Sequence, residues 1–138
     1  MTKLYIDTNV FVDVFLERKE FVYASGNIIE MCAERAVTGF TSASSILNLY
    51  FIVRKFKGGA TAKKILSQIL SMFEITEVDE KIIYEALESN FTDVEDAVQY
   101  QCALRADADF IITRNLSDFK KSRIPVYSPE QFLTKIKK

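Results

Sequence analysis

The sequence predicts an α/β domain in which a short parallel sheet of four or five strands is sandwiched between helices. Two patterns predict it. Brief apolar runs, too short and continuous for the one-sided strands of an antiparallel sheet, alternate along the chain with longer segments whose apolar residues recur at helical spacing. Only 4 glycines and 2 prolines occur in 138 residues, which argues against a loop-rich all-β protein.

The elements follow in order. Residues 3–6 (KLYI) form a β-rich run that stops at Asp7, and Val10, Phe11, Val14 and Phe15 then recur at helical spacing. A second helix is expected over 21–37, carried by Val22, Ala24, Ile28, Ile29 and Cys32, with Gly39 as its stop. Phe40 and Thr41 give a very short strand, and 42–56 reads as a helix with Ile46, Leu49, Tyr50, Val53 and Phe56 on one face before Gly58-Gly59. Helix 61–72, strand 73–75 and helix 79–88 follow. In TDVE, residues 92–95, Thr92 has the spacing of an N-cap with Glu95 reaching back, opening a helix to about residue 106. Phe110 to Ile112 form a buried strand ending at Thr113, and 125–127 a last strand. The closing helix is announced by SPEQ, with Ser128 as N-cap, Pro129 at the first helical position and Gln131 at the third. No repeat, low-complexity tract or linker divides the chain, so residues 1–138 are expected to form one domain.

Composition narrows the chemistry. Histidine is absent, which removes Ser-His and Cys-His nucleophiles and most zinc sites. The 2 cysteines, Cys32 and Cys102, lie in amphipathic segments without a ligand spacing and read as small core residues. Catalysis must therefore rest on carboxylates. No run approaches the ~20 apolar residues of a membrane span, and no basic segment with an apolar core opens the chain, so no membrane association and a cytoplasmic location are expected. The net charge of −1 hides a segregation by segment. Residues 35–73 contain no acid but carry Arg35, Arg54, Lys55, Lys57, Lys63 and Lys64; residues 74–118 hold twelve acids against Lys81, Arg105 and Arg114; the last twenty residues are again basic. Charge runs are ordinarily solvated faces, yet a basic surface beside an acidic pocket also suits a polyanion held against a metal.

Ligands of doubly wound sheets bind beyond the carboxyl ends of the strands, where the winding reverses. Asp7 stands at such an end, as a ligand-facing carboxylate or as the cap of the next helix. Asp93 and Asp96 share the first turn of the helix after Thr92. Acids there complement the helix dipole, but Asp96 sits on the core side next to Ala97 and Val98, where an unpaired carboxylate is costly and a cation would relieve it. After the strand at 110–112, TRNLSDF brings Thr113, Asn115 and Asp118 to the same rim. Hard divalent ions such as Mg²⁺ or Mn²⁺ take such oxygen ligands, one or two carboxylates completed by waters and substrate phosphates.

The stretches YIDTNVFVDVF, TSASSILNLYFIVRK, DVEDAVQYQCALRADADFIITRN and LSDF, spanning nearly the whole chain, resemble the PIN-domain nucleases, particularly the small VapC-like toxins of toxin–antitoxin modules. The resemblance implies a PIN-like fold, Mg²⁺ or Mn²⁺ held by three or four acids, and hydrolysis of RNA phosphodiesters. It assigns Asp7 and Asp96 as ligands and catalytic residues, with the fourth acidic position at Asn115 or Asp118. It also implies a small antitoxin partner and homodimerisation. One departure matters: the family's second acid would fall near Asn48, and the acid-free segment offers no substitute. Ser44, Ser45 and Asn48 nevertheless make a polar patch at the start of that helix. Asn9, Asp13, Asn48, Asp93 and Thr113 are expected to line the pocket or support the ligands, and Arg54, Lys55, Lys57 and Arg114 to hold the RNA backbone. Two functions compete: a metal-dependent endoribonuclease and, motivated by Asn48, a degenerate domain that binds RNA or protein without cutting. A phosphate-transfer receiver fits poorly, for want of paired acids after the first strand and of a late lysine.

Overall fold

The computed structural model describes residues 1–137; Lys138, last of the terminal basic residues, lies outside them. Five strands form one sheet: β1 (Lys3–Ile6), β2 (Thr38–Ser42), β3 (Glu74–Thr76), β4 (Phe110–Ile112) and β5 (Val126–Tyr127). Their order is β3-β2-β1-β4-β5, and every pairing is parallel. Seven helices cover the two faces: α1 (Thr8–Phe15), α2 (Val22–Ala33), α3 (Ala43–Lys57), α4 (Gly59–Met72), α5 (Glu80–Glu88), α6 (Val94–Arg105) and α7 (Pro129–Ile136). The expected architecture is the observed one.

Parallel strands buried on both faces need apolar residues on both. In β1, Leu4 and Ile6 pack with Val10, Phe11, Ile28, Leu49 and Phe73 into one core, while Tyr5 joins Ala97, Val98, Cys102, Ile111 and Phe119 in the other. Both cysteines are buried and free, as expected of core residues. Gly39 in β2 admits a close approach: a Cβ there would meet the Phe73 ring at 2.6 Å and Cys32 Sγ at 2.7 Å, so only glycine lets α2 and the start of β3 pack so tightly on the strand.

The chain winds outward from β1 to β2 and β3, then crosses back to lay β4 on the other side of β1. The reversal places a crevice between the carboxyl ends of β1 and β4. There the Asp7 N–H donates to Ile112 O at 3.0 Å, joining the two strand ends.

Several local expectations shift. Helix α2 stops at Ala33, short of residue 37, because the chain turns through Arg35 at a φ of 63°. Helix α4 begins at Gly59, two residues early, after Gly58 at a φ of 86° has turned the chain. Phe56, expected on the inner face of α3, is 64% exposed, while Leu49 and Val53 are buried. Most consequential is α6: Asp93, not Thr92, is its N-cap, with Oδ1 accepting from the Asp96 N–H at 3.0 Å. Both residues are good caps, and the carboxylate adds charge complementarity to the helix dipole. Glu95 therefore occupies the helix's second position and is not the reciprocal capping partner expected of it. The capping box at Ser128 and Gln131, with Pro129 behind Ser128, is formed as expected.

Candidate functional site

Asp7 follows β1 directly and occupies the N-cap position of α1, yet its side chain makes no capping hydrogen bond. It is 6% exposed and points into the crevice network instead. Gln99 Nε2 donates to its Oδ1 at 2.7 Å and Thr113 Oγ1 to its Oδ2 at 2.7 Å. Both donors are themselves fixed. Gln99, 1% exposed, accepts at Oε1 from Tyr5 Oη at 3.1 Å and from Ser45 Oγ at 3.0 Å, so its amide nitrogen must face Asp7. Thr113, at the end of β4, accepts from the Asn115 N–H at 3.0 Å and from Asn9 Nδ2 at 3.4 Å.

These partners are neutral, so the buried charge of Asp7 is hydrogen-bonded but not balanced. Desolvation raises its pKa above the carboxylate norm, against the opposing effect of Thr113 and Gln99. Asp96, half-buried at the third position of α6, is pushed from 3.8 to about 7, first by burial and then by the charges of Asp93, Asp7, Asp118 and Glu95. Glu95 is raised too, by desolvation and then by Asp93 and Asp7, while the Asn48 side chain opposes the shift. The rim is thus a pocket of mutually repelling carboxylates.

A hollow of about 270 Å³ opens over them, lined by Asp7, Thr8, Asn9, Glu95, Asp96 and Asn115, with Arg18 and Ile52 at its sides. The buried Thr8 hydroxyl has no hydrogen-bond partner among the described residues. Asp118 lines an adjoining hollow that shares Asp96 with the first. Among the described residues, no three carboxylate, thiol or imidazole groups lie together so as to hold a metal ion by themselves. The donor set is an open one: hard oxygens, excess negative charge and an unpartnered hydroxyl, which fits a hydrated Mg²⁺ or Mn²⁺ that keeps several waters.

The remaining residues singled out from the sequence divide. Asp93 caps α6, and Asn9 touches Thr113 and accepts at Oδ1 from the Arg114 N–H at 3.4 Å. Asn48 reaches the rim through Glu95. Asp13 lies outside the hollow, fully buried, with Oδ2 accepting from Arg114 Nε at 2.7 Å and from Ser25 Oγ at 3.0 Å. Arg114 is thereby tied down, its guanidinium also lying 4.0 Å from the centre of the Phe21 ring. Arg54, Lys55 and Lys57 occupy the last turn of α3, just beyond Ile52 at the side of the hollow, and do not themselves line it. Sequence reasoning missed Gln99, Arg18 and Glu95 as members of the site. The only signal for Gln99 was its spacing, three residues after Asp96 on the same helical face.

Comparison with known proteins is consistent across sequence and structure. The PIN domain model matches residues 3–117. Ribonuclease VapC1 of Aquifex aeolicus is 28% identical, covering 94% of this chain and 92% of that protein. Among solved structures, the DNA-bound VapBC2 of Rickettsia felis aligns with a TM-score of 0.68 at 19% identity, over 92% of this chain and 98% of that one. VapC20 of Mycobacterium tuberculosis, described as a sarcin-ricin loop cleaving toxin, aligns with a TM-score of 0.64 at 11% identity, over 78% and 86% of the two chains. Among the described residues no helix is long and apolar enough to cross a membrane.

Proposed function

The chain belongs to the PIN-domain family, and from that premise we propose that it is a Mg²⁺- or Mn²⁺-dependent endoribonuclease, the toxin of a toxin–antitoxin pair. The observation that supports the reading is the convergence of Asp7 and Asp96 at the β1–β4 crevice, where burial and mutual repulsion disfavour the ionised carboxylates and a bound divalent cation would relieve that cost. The likeness to Ribonuclease VapC1 supports RNA as the substrate class, and the likeness to a toxin–antitoxin complex of Klebsiella pneumoniae supports an antitoxin protein as partner.

Asp7 and Asp96 would hold the ion, with Asp118 or Asn115 completing the oxygen set and Glu95 adding charge from beside Asn48. Bound there, a divalent cation supplies Lewis-acid charge to the scissile phosphate and lowers the pKa of a water. Gln99 and Thr113 hold the Asp7 carboxylate in one orientation, which removes its reorganisation from the reaction. Arg18, at the side of the hollow, is placed to meet a phosphate oxygen.

The competing reading, a domain that binds RNA without cutting it, draws on Asn48, where the resemblance calls for an acid. Glu95 weakens that objection, because it brings a carboxylate from α6 to the lining of the hollow. The test is cleavage of a structured RNA with Mg²⁺. Wild type cuts, EDTA stops it, and Asp7→Asn and Asp96→Asn each slow it by roughly 10³-fold or more, about 4 kcal/mol of barrier. Undiminished cleavage by both variants eliminates this site; no cleavage by wild type, with RNA binding intact, favours the non-cutting domain.

A further inference from the structure

The hollow over Asp7 does not end at Asp96. It passes into a second, of about 310 Å³, lined by Asp96, Asp118, Lys120 and Lys121 among others. That one shares Asn90, Phe91, Lys120 and Lys121 with a third hollow of about 700 Å³, which adds Arg123. The three make one trough, acidic where it begins and basic where it ends. Lys120, Lys121 and Arg123 are exposed, and none of them is in an ion pair among the described residues.

The backbone that carries these cations is pinned. Phe119, just before them, is 1% exposed, and the Ser122 N–H donates to its carbonyl at 2.9 Å. Ser122 Oγ donates to Ile124 O at 2.7 Å, and the Arg123 N–H donates to Tyr100 Oη at 3.1 Å. Beneath them the Phe91 ring stacks on Tyr100 at 4.8 Å and meets Phe119 edge-on at 6.0 Å, giving the trough a stiff aromatic floor. The basic residues expected from charge to hold the RNA backbone do not line this trough: Arg114 is bonded to Asp13, and Arg54, Lys55 and Lys57 are in the last turn of α3.

Resting on the nuclease reading, we propose that this trough is the track of the substrate strand: the sugar-phosphate backbone of single-stranded RNA leaves the carboxylate rim past Asp118 and is held by Lys120, Lys121 and Arg123. A strand repeating one negative charge per nucleotide places one phosphate at the acidic end, where a cation accompanies it, and its neighbours at the basic end. An acidic peptide would bring no cation to the Asp93, Asp96 and Asp118 end and would be repelled there.

The full chain is titrated with a fluorescein-labelled 12-nucleotide RNA in EDTA, across a range of KCl concentrations. Lys120→Ala/Lys121→Ala reduces the magnitude of the slope of log K against log salt by about 1.4, two lost contacts at ~0.7 each for a single strand, and weakens binding at least tenfold near 100 mM salt. Lys120→Arg/Lys121→Arg keeps the slope, and the control Lys63→Ala/Lys64→Ala on α4 does not change it. An unaltered slope in Lys120→Ala/Lys121→Ala, or an equal fall in the control, overturns the track. So does binding of a labelled oligoglutamate of the same length as tightly as the RNA. Because these titrations contain no metal and no cleavage, their failure leaves the carboxylate site standing, and survival of cleavage in Asp7→Asn leaves the track standing.

Discussion

Asp7 and Asp13 lie six residues apart, both nearly or fully buried, and the fold treats them in opposite ways. Asp13 is neutralised by a guanidinium at 2.7 Å, and Arg114 is seated in turn on the Phe21 ring. Asp7 receives two hydrogen bonds of the same length from Gln99 and Thr113, neither of them charged. Hydrogen bonds reach both oxygens of Asp7 but only Oδ2 of Asp13, whose buried Oδ1 has no partner among the described residues; only at Asp13 is the opposite charge supplied by an ion pair. A buried carboxylate with its own cation is part of the scaffold; one given neutral donors and placed beside Asp96 is left to be completed from outside.

The contrast is broken most directly by stability measurements, where the largest effect is expected. Arg114→Ala strands the Asp13 charge in the interior and lowers the unfolding free energy by about 3–5 kcal/mol, read by urea denaturation. Replacing both partners, as Asp13→Leu with Arg114→Met, recovers most of that loss, because two apolar groups leave no charge behind. Asp7→Asn, which slows cleavage under the proposed function, changes stability by about 1 kcal/mol, since the amide oxygen still accepts from Gln99 and only the Thr113 bond is lost. Equal destabilisation by Asp7→Asn and Arg114→Ala would erase the distinction between the two sites.

The sequence made one side of this contrast legible and hid the other. Asp7 could be placed at the rim because a β-rich run stops there and the alternation of strands and helices defines a carboxyl end. Asp96 could be placed because first turns of helices announce themselves. Both inferences use local pattern plus a topological rule. The pairing of Arg114 was hidden for the same reason: its charge is visible, but its partner is 101 residues away along the chain. Gln99 was invisible, since a glutamine acquires meaning only from Tyr5, Ser45 and Asp7, gathered from three other elements. The one-residue shift of the cap from Thr92 to Asp93, beyond the reach of propensity, decides that Glu95 turns to the rim.

Ionisation sharpens the comparison with a smaller effect. In EDTA, Asp96 carries a folded-state pKa of about 7 against an ordinary 3.8. Between those values the folded chain binds more protons than the unfolded one, so unfolding free energy falls as pH rises from about 4 to about 7. The stabilisation is present in acid and lost through neutrality. Asp96 is half-open to solvent, so the change is under about 1 kcal/mol once screening is discounted. Denaturation at pH 5 and pH 8 measures it, and Asp96→Asn should flatten the difference. Mn²⁺ should reverse the sign, because the ion takes the ionised form and its affinity climbs with pH up to about 7. A pH slope that survives in Asp96→Asn would place its origin elsewhere.

The smallest effect tests whether charge missing from α3 has been supplied from α6. Asn48 cannot bring a negative charge to the rim, but it lies close enough to Glu95 to oppose the rise of that carboxyl's pKa, which burial and then Asp93 and Asp7 push up. Glu95 therefore acts through the field it adds to the pocket, and being largely exposed it acts weakly. Glu95→Gln keeps the size and the contact to Asn48 while removing one unit of charge. Calorimetric titration with Mn²⁺ should show affinity falling by up to about fivefold, equivalent to ~1 kcal/mol for a charge this open to solvent. Restoring an acid at the older position, as Asn48→Asp in the Glu95→Gln chain, should return the affinity if the two positions are interchangeable sources of the same field. Failure of that exchange, with Glu95→Gln itself silent, would mean that Asp7 and Asp96 hold the cation without help from either helix.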